Sequence, residues 1–595
     1  MDASEENTGP IINCHTHVFT VKDVPPFLAR TIIPWPFYFL IRTSWFAGLV
    51  GVWVRLRFAL SRKKWYKELA RGLYRLRMNL KRYLILRLIK LVVGVLIIIS
   101  LFHSLYDPWL SGWLEKQGIH LNFLGRFDDW LEQNGILIIT DSWVLKAILV
   151  IILLLFFPSG RNLIFFILRQ VNRFFKMLPG KQTTELLRRY LNIVRYANYK
   201  EQFKVYSRLR LQYPPGSAMV ILPMDMEFMG AGKPSRSFDK QMEMLAKIKE
   251  NHPDEFLPFL FVDPRRGKAG GKDFFTYTIE KNKIVLGDCF VKDYIETKDF
   301  SGFKIYPALG YFPFDETLLP LWKYAADNGI PIMTHCIRGV IYYRGKKQSR
   351  WDFHPVFEQY MGSDENYDPN DYSGLLLPQM KPVDVQEIFT HPMNYACLYK
   401  KELLAKLVAV AKDPRVKEIF GYNEESGSIS RGLSHLKLCF GHFGGEDEWK
   451  KFFEKDRTNF GHQLVNNPAK GIDFLYTNGE RKRGKPEQVW KTADWYSIIC
   501  SLMLQHDHVY ADISYILHGD LEILPLLRDT LQHSILRKRV LYGSDFYVVR
   551  NHKSDKNMLA DIKGGLLKDE FDLIARKNPL DYLKKGPVEE KPERQ

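Results

Sequence analysis

Residues 11–17 read Ile11-Ile12-Asn13-Cys14-His15-Thr16-His17, an apolar start running into two histidines one residue apart. In an extended segment, side chains two positions apart face the same way, so both imidazoles can reach one ion. Taken alone, His-x-His also fits two ordinary surface or core histidines. Its weight depends on what the rest of the chain sends to the same place.

Seven further runs have the composition of short strands: Ala218 to Met224, Phe256 to Val262, Phe303 to Pro307, Pro331 to His335, Leu436 to Gly441, Val509 to Ser514 and Val540 to Ser544. Stretches with helical patterning follow most of them, namely Phe238 to Lys249, Glu316 to Asn328, Lys400 to Ala411, Trp490 to Leu504 and Leu521 to Leu531. Strand–helix alternation implies a parallel sheet with crossover helices. Eight such units close an α/β fold of the (β/α)8, TIM-barrel type, whose active site lies at the C-terminal ends of the strands. The fifth run ends in His335, the sixth delivers His442 and the eighth delivers Asp545. Any one of these has a plainer explanation: a hydrogen-bonded polar residue at a strand end, or a helix cap at Asp545. Together they form a group of metal-ligand types on four strands.

That order, with the phrases Gly302-Phe303-Lys304-Ile305-Tyr306-Pro307, Gly329-Ile330-Pro331-Ile332-Met333-Thr334-His335, Gly441-His442-Phe443-Gly444-Gly445 and Gly543-Ser544-Asp545, resembles the amidohydrolase superfamily, in its amidohydrolase-2 branch of metal-dependent hydrolases and decarboxylases. The resemblance covers residues 9–20 and roughly 215–550. It implies that His15, His17, His335 and Asp545 hold a divalent ion, zinc first, with manganese, iron or cobalt as alternatives. It implies Asp545 or His442 as the proton acceptor, with His442 also placed to ligate or to polarise a carbonyl. Lys304 is open between a carboxylated metal bridge, a barrel-core lysine and an anion anchor. Asn13 stands where the family often has Asp, and Phe546-Tyr547 where it often has Trp-Pro, which bears on the surroundings of the ion more than on its ligands. Arg338 suits a substrate carboxylate, being a planar bidentate donor, and otherwise reads as a solvated loop charge. His391 reads as a pocket residue or a loop-to-helix junction.

The formal charge of +18 is confined to two blocks. Arg55 to Lys90 holds 13 Lys/Arg against one acidic residue, and Arg161 to Arg210 holds 12 against two. Both flank apolar segments, so a membrane surface is the expected partner and nucleic acid is not. The segments at about 84–105 and 143–168 approach the ~20 apolar residues that a spanning helix needs. The connection Asp107 to Asp141 holds two Lys/Arg and six acidic residues, which places it outside and both basic flanks in the cytoplasm. Phe37 to Leu60 suits an interfacial helix, because an odd span would separate His15 and His17 from their partners. The competing reading is buried helices of a soluble domain. The expected organisation is therefore a first barrel strand in 9–20, an inserted membrane-associated helical region in 21–210, the remaining barrel in 211–550, and a C-terminal helix with a disordered tail in 551–595. Six cysteines, none in a CxxC pair, fit reduced thiols, and the acidic N-terminus does not read as a signal peptide.

The leading expectation is a membrane-anchored hydrolase, with its barrel at the cytoplasmic face of the membrane, that uses metal-activated water on an amide, ester or lactone of a small molecule. A non-oxidative decarboxylase on the same scaffold is the alternative. A non-catalytic, membrane-anchored binding module is a third reading.

Overall fold

Parallel strands buried on both faces should read as largely apolar runs, and most of the eight barrel strands do. They are β1 (Ile12–Thr16), β2 (Ala218–Ile221), β3 (Phe256–Phe261), β4 (Gly302–Ile305), β5 (Ile332–His335), β6 (Leu438–Gly441), β7 (Val509–Asp512) and β8 (Val540–Leu541), with polar residues in β1 and at the ends of β5 and β7. In this computed structural model they form one eight-stranded sheet, in sequence order and parallel throughout. The ring closes between its ends: Cys14 N donates to Tyr542 O at 2.9 Å and His17 N to Phe546 O at 2.7 Å. The barrel and all eight expected strands are therefore present.

The described residues are 9–26, 28, 199 and 201–587, apart from 340, 363–370, 378–381, 455–459, 478, 518–521 and 547–552, with scattered positions between 65 and 162. The chain divides into two units, one of Met1–Gly51 with Glu185–Gln595 and one of Val52–Thr184. The barrel lies in the first. The interfacial helix lies outside the described residues, and of the expected spans only 85, 88, 89 and 91–96 in the first, all helical, and 154 and 162 in the second are described. Among the described residues no helix is long and apolar enough to cross a membrane. The helix Gln202–Arg210 belongs to the barrel unit, where Tyr206 packs edge-on against Phe256 of β3.

Side chains from alternating strand positions fill the barrel interior, among them Ile12, Val220, Phe259, Met333, Cys439 and Tyr510, and Tyr582 of the C-terminal helix joins them. Burying each large apolar side chain contributes about 1.5–3 kcal/mol. Residues 584–587, expected in the disordered tail, are instead tied to the barrel: Lys585 bonds Asp299 and Phe300 O, and Gly586 N bonds Asn328 O.

The crossover helices form where apolar residues recur at helical spacing. In α1 (Phe238–Asn251), Phe238, Gln241, Met242, Leu245, Ala246 and Ile248 are buried on one face. Of α2 (Leu319–Asp327), α3 (Lys401–Ala409), α4 (Trp495–Gln505) and α5 (Leu524–Gln532), α3 and α5 follow the same logic, whereas α2 and α4 are buried almost all round. The single helix expected over Trp490 to Leu504 is two. Ala493 is extended, and the Asp494 carboxylate accepts from Ser497 N at 2.7 Å, starting α4 afresh.

Candidate metal centre

β1 sends His15 and His17 to the C-terminal mouth of the barrel through a register irregularity between Asn13 and Thr16. Asn13 is the pin of this seam. Its Oδ1 accepts from His15 N at 3.2 Å and Ser544 N at 3.1 Å, while its Nδ2 donates to Tyr213 OH at 2.7 Å and Ser544 Oγ at 2.8 Å. An Asp here would lose the donor that reaches Tyr213 and Ser544. Glycines make room for the His15 ring. A Cβ on Gly441 would stand 2.6 Å from Thr334 O and 2.9 Å from His15 Cε1, and one on Gly543 would stand 2.8 Å from His15 Cβ.

The acceptors around each ring fix its protons. His15 Nδ1 lies 2.8 Å from Asp512 Oδ2 and must donate to it. This leaves His15 Nε2 buried and, among the described residues, without a hydrogen-bond partner. His17 Nδ1 donates to Leu222 O at 2.7 Å, which turns the bare Nε2 toward Asp545 Oδ1 at 3.2 Å. Two acceptors at that distance repel unless a proton or a cation lies between them. His442 Nδ1 faces Ser514 O at 3.2 Å and Ser514 Oγ at 2.9 Å, so its Nε2 accepts from His335 Nδ1 at 3.1 Å.

Burial drives the His15 imidazole well below its usual pKa, and Lys304 pushes it the same way. Burial, assisted by His15, lowers His442 to about 3. Burial by itself would raise Asp545, but a proton lying between it and His17 Nε2, in the place a cation would take, together with the neighbouring His442, overrules it and brings the carboxyl to about 2. His15 and His442 are thereby held neutral and Asp545 ionised, the protonation states that metal ligands require. Ligand atoms of His15, His442 and Asp545 all lie within 4.8 Å of one another. Orphaned His15 Nε2, the facing pair His17–Asp545 and the N/O donor set together fit a divalent ion.

The backbone is strained at the same place. Of the seven non-glycine residues at positive φ among those described, His442 (68°), Phe443 (42°), Tyr515 (69°) and Asp545 (57°) sit at this mouth. Such conformations cost about 1–3 kcal/mol each and persist where surrounding bonds impose them. Here Asp545 N is held by His15 O at 2.8 Å, and His442 N by Asp512 Oδ1 at 3.0 Å. The cavity has a volume of about 30 Å³ and is lined by His17, His335, His442 and Asp545, with apolar walls that include Phe19, Met224, Tyr306 and Ile337. Tyr306 stacks on His335 with ring centres 3.9 Å apart. The buried amide of Gln241 on α1 clamps Met224 by accepting from its N at 3.2 Å and donating to its O at 3.0 Å.

All five residues singled out for the ion thus converge, but the tightest trio, His15, His442 and Asp545, differs from the expected quartet. His17 and His335 flank it, against Asp545 and His442 respectively. Lys304 is fully buried, its Nζ has no hydrogen-bond partner among the described residues, and burial lowers it to about 8 against the pull of Asp512 and Asp545. Arg338 is not brought to this cavity. It pairs with Glu387 at 2.7 Å and lines a separate cleft of about 230 Å³ with Glu448, Trp490 and Trp495. The physical reason is that Glu387 and Glu448, on the helices Pro382–Thr390 and Glu446–Phe452, hold the guanidinium there. His391 answers to both expected readings: it lines this same cleft, and it caps the loop-to-helix junction, its Nδ1 accepting from Met393 N at 3.2 Å and its Nε2 donating to Trp490 O at 3.1 Å. Asp512 and Ser514 were not singled out from the sequence. The signal available was an acidic residue at the end of the apolar run Val509-Tyr510-Ala511.

No family model matches the chain. No curated protein matches it either. Among solved structures, it is similar to dihydroxybenzoic acid decarboxylase from Polaromonas sp. JS666, with bound manganese, at 12% identity, covering 65% of this chain and 91% of that one with a TM-score of 0.32. It is similar to 5-carboxyvanillate decarboxylase from Novosphingobium aromaticivorans, also with manganese, at 11% identity, 71% and 93% coverage and a TM-score of 0.32. An amidohydrolase from Mycobacterium avium subsp. paratuberculosis K-10 follows at 14% identity, 66% and 77% coverage and 0.28. Likeness at these scores carries no weight for function; the barrel rests on its own strand order and the centre on its own geometry.

Proposed function

We propose that this chain is a metal-dependent enzyme acting on the carbonyl group of a small molecule, with hydrolysis as its reaction. The observation that supports it is the convergence of His17, His335, His442 and Asp545 on one cavity, with ligand atoms of His15 within 4.8 Å of those of His442 and Asp545 and its Nε2 buried and unpartnered among the described residues. His15, His17, His335 and Asp545 would hold the ion, zinc or manganese. A divalent ion held there would supply Lewis acidity and would bring a water toward a pKa of about 7. His442 takes the proton at Nε2, its Nδ1–H being anchored on Ser514. The apolar walls exclude water and orient the rest of the substrate.

The test is a screen of amides, esters, lactones and aromatic acids with metal-loaded protein, reading hydrolysis and CO₂ release separately. Hydrolysis lost in His442→Ala with metal retained supports the reading. CO₂ release without hydrolysis moves the chemistry to decarboxylation, and loss of metal in His442→Ala moves that residue into the cage.

Membrane attachment through 84–105 and 143–168, with the barrel on the cytoplasmic side, is proposed on the charge pattern alone. Protein that stays in the supernatant after cell fractionation without detergent would refute it.

A further inference from the structure

Asp512 ends β7 fully buried, and each of its oxygens has a separate task. Oδ1 accepts from His442 N at 3.0 Å, from Ser514 N at 3.0 Å and from Ser514 Oγ. Oδ2 accepts from His15 Nδ1 at 2.8 Å. Ser514 Oγ, its proton given to Asp512, is left to accept from His442 Nδ1 at 2.9 Å. One carboxylate therefore ties together the ring of His15, the strained backbone of His442 and, through Ser514, the ring of His442.

We propose that Asp512 is a positioning residue that fixes the tautomer of His15, keeping Nε2 unprotonated and turned to the ion while it holds His442 in place through Ser514. The proposal rests on the metal reading above. A partner that orients a ligating histidine is worth about 10–100-fold in metal affinity.

The geometry gives the proposal a signature that a merely structural carboxylate lacks. Three donors converge on Oδ1, two of them backbone N–H groups that cannot turn away. An isosteric Asn at this position must put its carbonyl oxygen there and its NH₂ toward His15. Two donors would then face each other, and His15 relieves the clash by moving its proton to Nε2, the atom the ion needs. Ala removes the clash and leaves the tautomer free. Asn should therefore harm metal affinity more than Ala, although it keeps more of the packing and hydrogen bonding.

The experiment titrates the full chain with Zn²⁺ and Co²⁺ against a chromophoric chelator, for wild type, Asp512→Asn and Asp512→Ala, alongside the melting temperature of each metal-free protein. The expected result is metal binding by wild type, a loss of about 10–100-fold in Asp512→Asn, a smaller loss in Asp512→Ala, and the opposite order in melting temperature. Wild-type affinity in Asp512→Asn, or a milder loss than in Asp512→Ala, overturns the assignment while leaving the metal reading intact. No binding by wild type overturns the metal reading and this inference with it. Where Asp512→Asn fails to fold, Co²⁺-loaded wild type carries the test. The Nδ1 proton of His15, buried against Asp512, should give a hyperfine-shifted resonance that exchanges slowly in D₂O, and immediate exchange of every ligand-imidazole proton overturns the assignment.

Discussion

Replacing Gly441 by Ala probes the centre without removing any ligand. The new Cβ would stand 2.6 Å from Thr334 O and 2.9 Å from His15 Cε1. Carbon contacts settle at about 3.5–4.0 Å, so either the ring or β6 must shift by about 0.6 Å or more. The ring has little freedom. Its Nδ1 is held by Asp512 at 2.8 Å and its backbone N by Asn13 at 3.2 Å. Thr334 O belongs to β5, which is paired with β6 along the register Phe440 with Thr334 and Gly441 with His335. Overpacking of this kind costs about 1–3 kcal/mol. Sites must be held to about 0.5 Å to work, so the same displacement should also weaken the ion's binding. We expect a lower melting temperature for the metal-free variant and a loss of about tenfold or more in Zn²⁺ affinity, since about 1.4 kcal/mol is a factor of ten. Chelator competition and differential scanning fluorimetry read both quantities. Gly267→Ala, which meets nothing within 4 Å, is the control and should change neither. Wild-type affinity and stability in Gly441→Ala would refute the packing argument.

Other outcomes follow from the same geometry. Burial raises Asp494 to about 6 from 3.8. A carboxyl whose folded pKa is raised gives stability below the unfolded value that is lost as pH rises through the folded one, here across roughly pH 4–6 and by about 3 kcal/mol. Urea unfolding of wild type should weaken over that window relative to Asp494→Asn, and parallel profiles would exclude the effect. Asn13→Ala strips four hydrogen bonds from the β1–β8 seam and leaves buried groups unpaired at about 1–3 kcal/mol each; an unchanged melting temperature would count against its role as the pin. Arg338→Ala should leave metal affinity unchanged and cost at most about 1 kcal/mol, because its pair with Glu387 is partly exposed. A large drop in metal affinity would place Arg338 in the centre after all.

The barrel was legible because its strands are short apolar runs and its ligand types sit at their ends, where local sequence and position in the fold coincide. His335 at the end of β5 and His442 after β6 could be read that way. The arrangement that gives those residues their chemistry could not. His15 and Asp512 meet across 497 residues of chain, and nothing near Val509-Tyr510-Ala511-Asp512 announces that its carboxylate faces an imidazole. The glycines of Gly441-His442 and Gly543-Ser544-Asp545 are visible in sequence, but their reason, clearance for His15, appears only once the barrel brings β1, β6 and β8 to one mouth. Arg338 misled for the converse reason. Its type suits a substrate carboxylate, yet Glu387 from the insertion between β5 and β6 takes the guanidinium. Local rules also misplaced the helix over 490–504, where the Asp494 cap outweighs apolar periodicity.

The most direct test of the metal centre is elemental analysis of the purified full chain beside its His15→Ala/His17→Ala variant. Wild type should carry about one equivalent of a divalent transition metal, lost in a variant that still folds. A wild type without stoichiometric metal, or a folded variant that retains it, would contradict the claim on which the proposed chemistry depends.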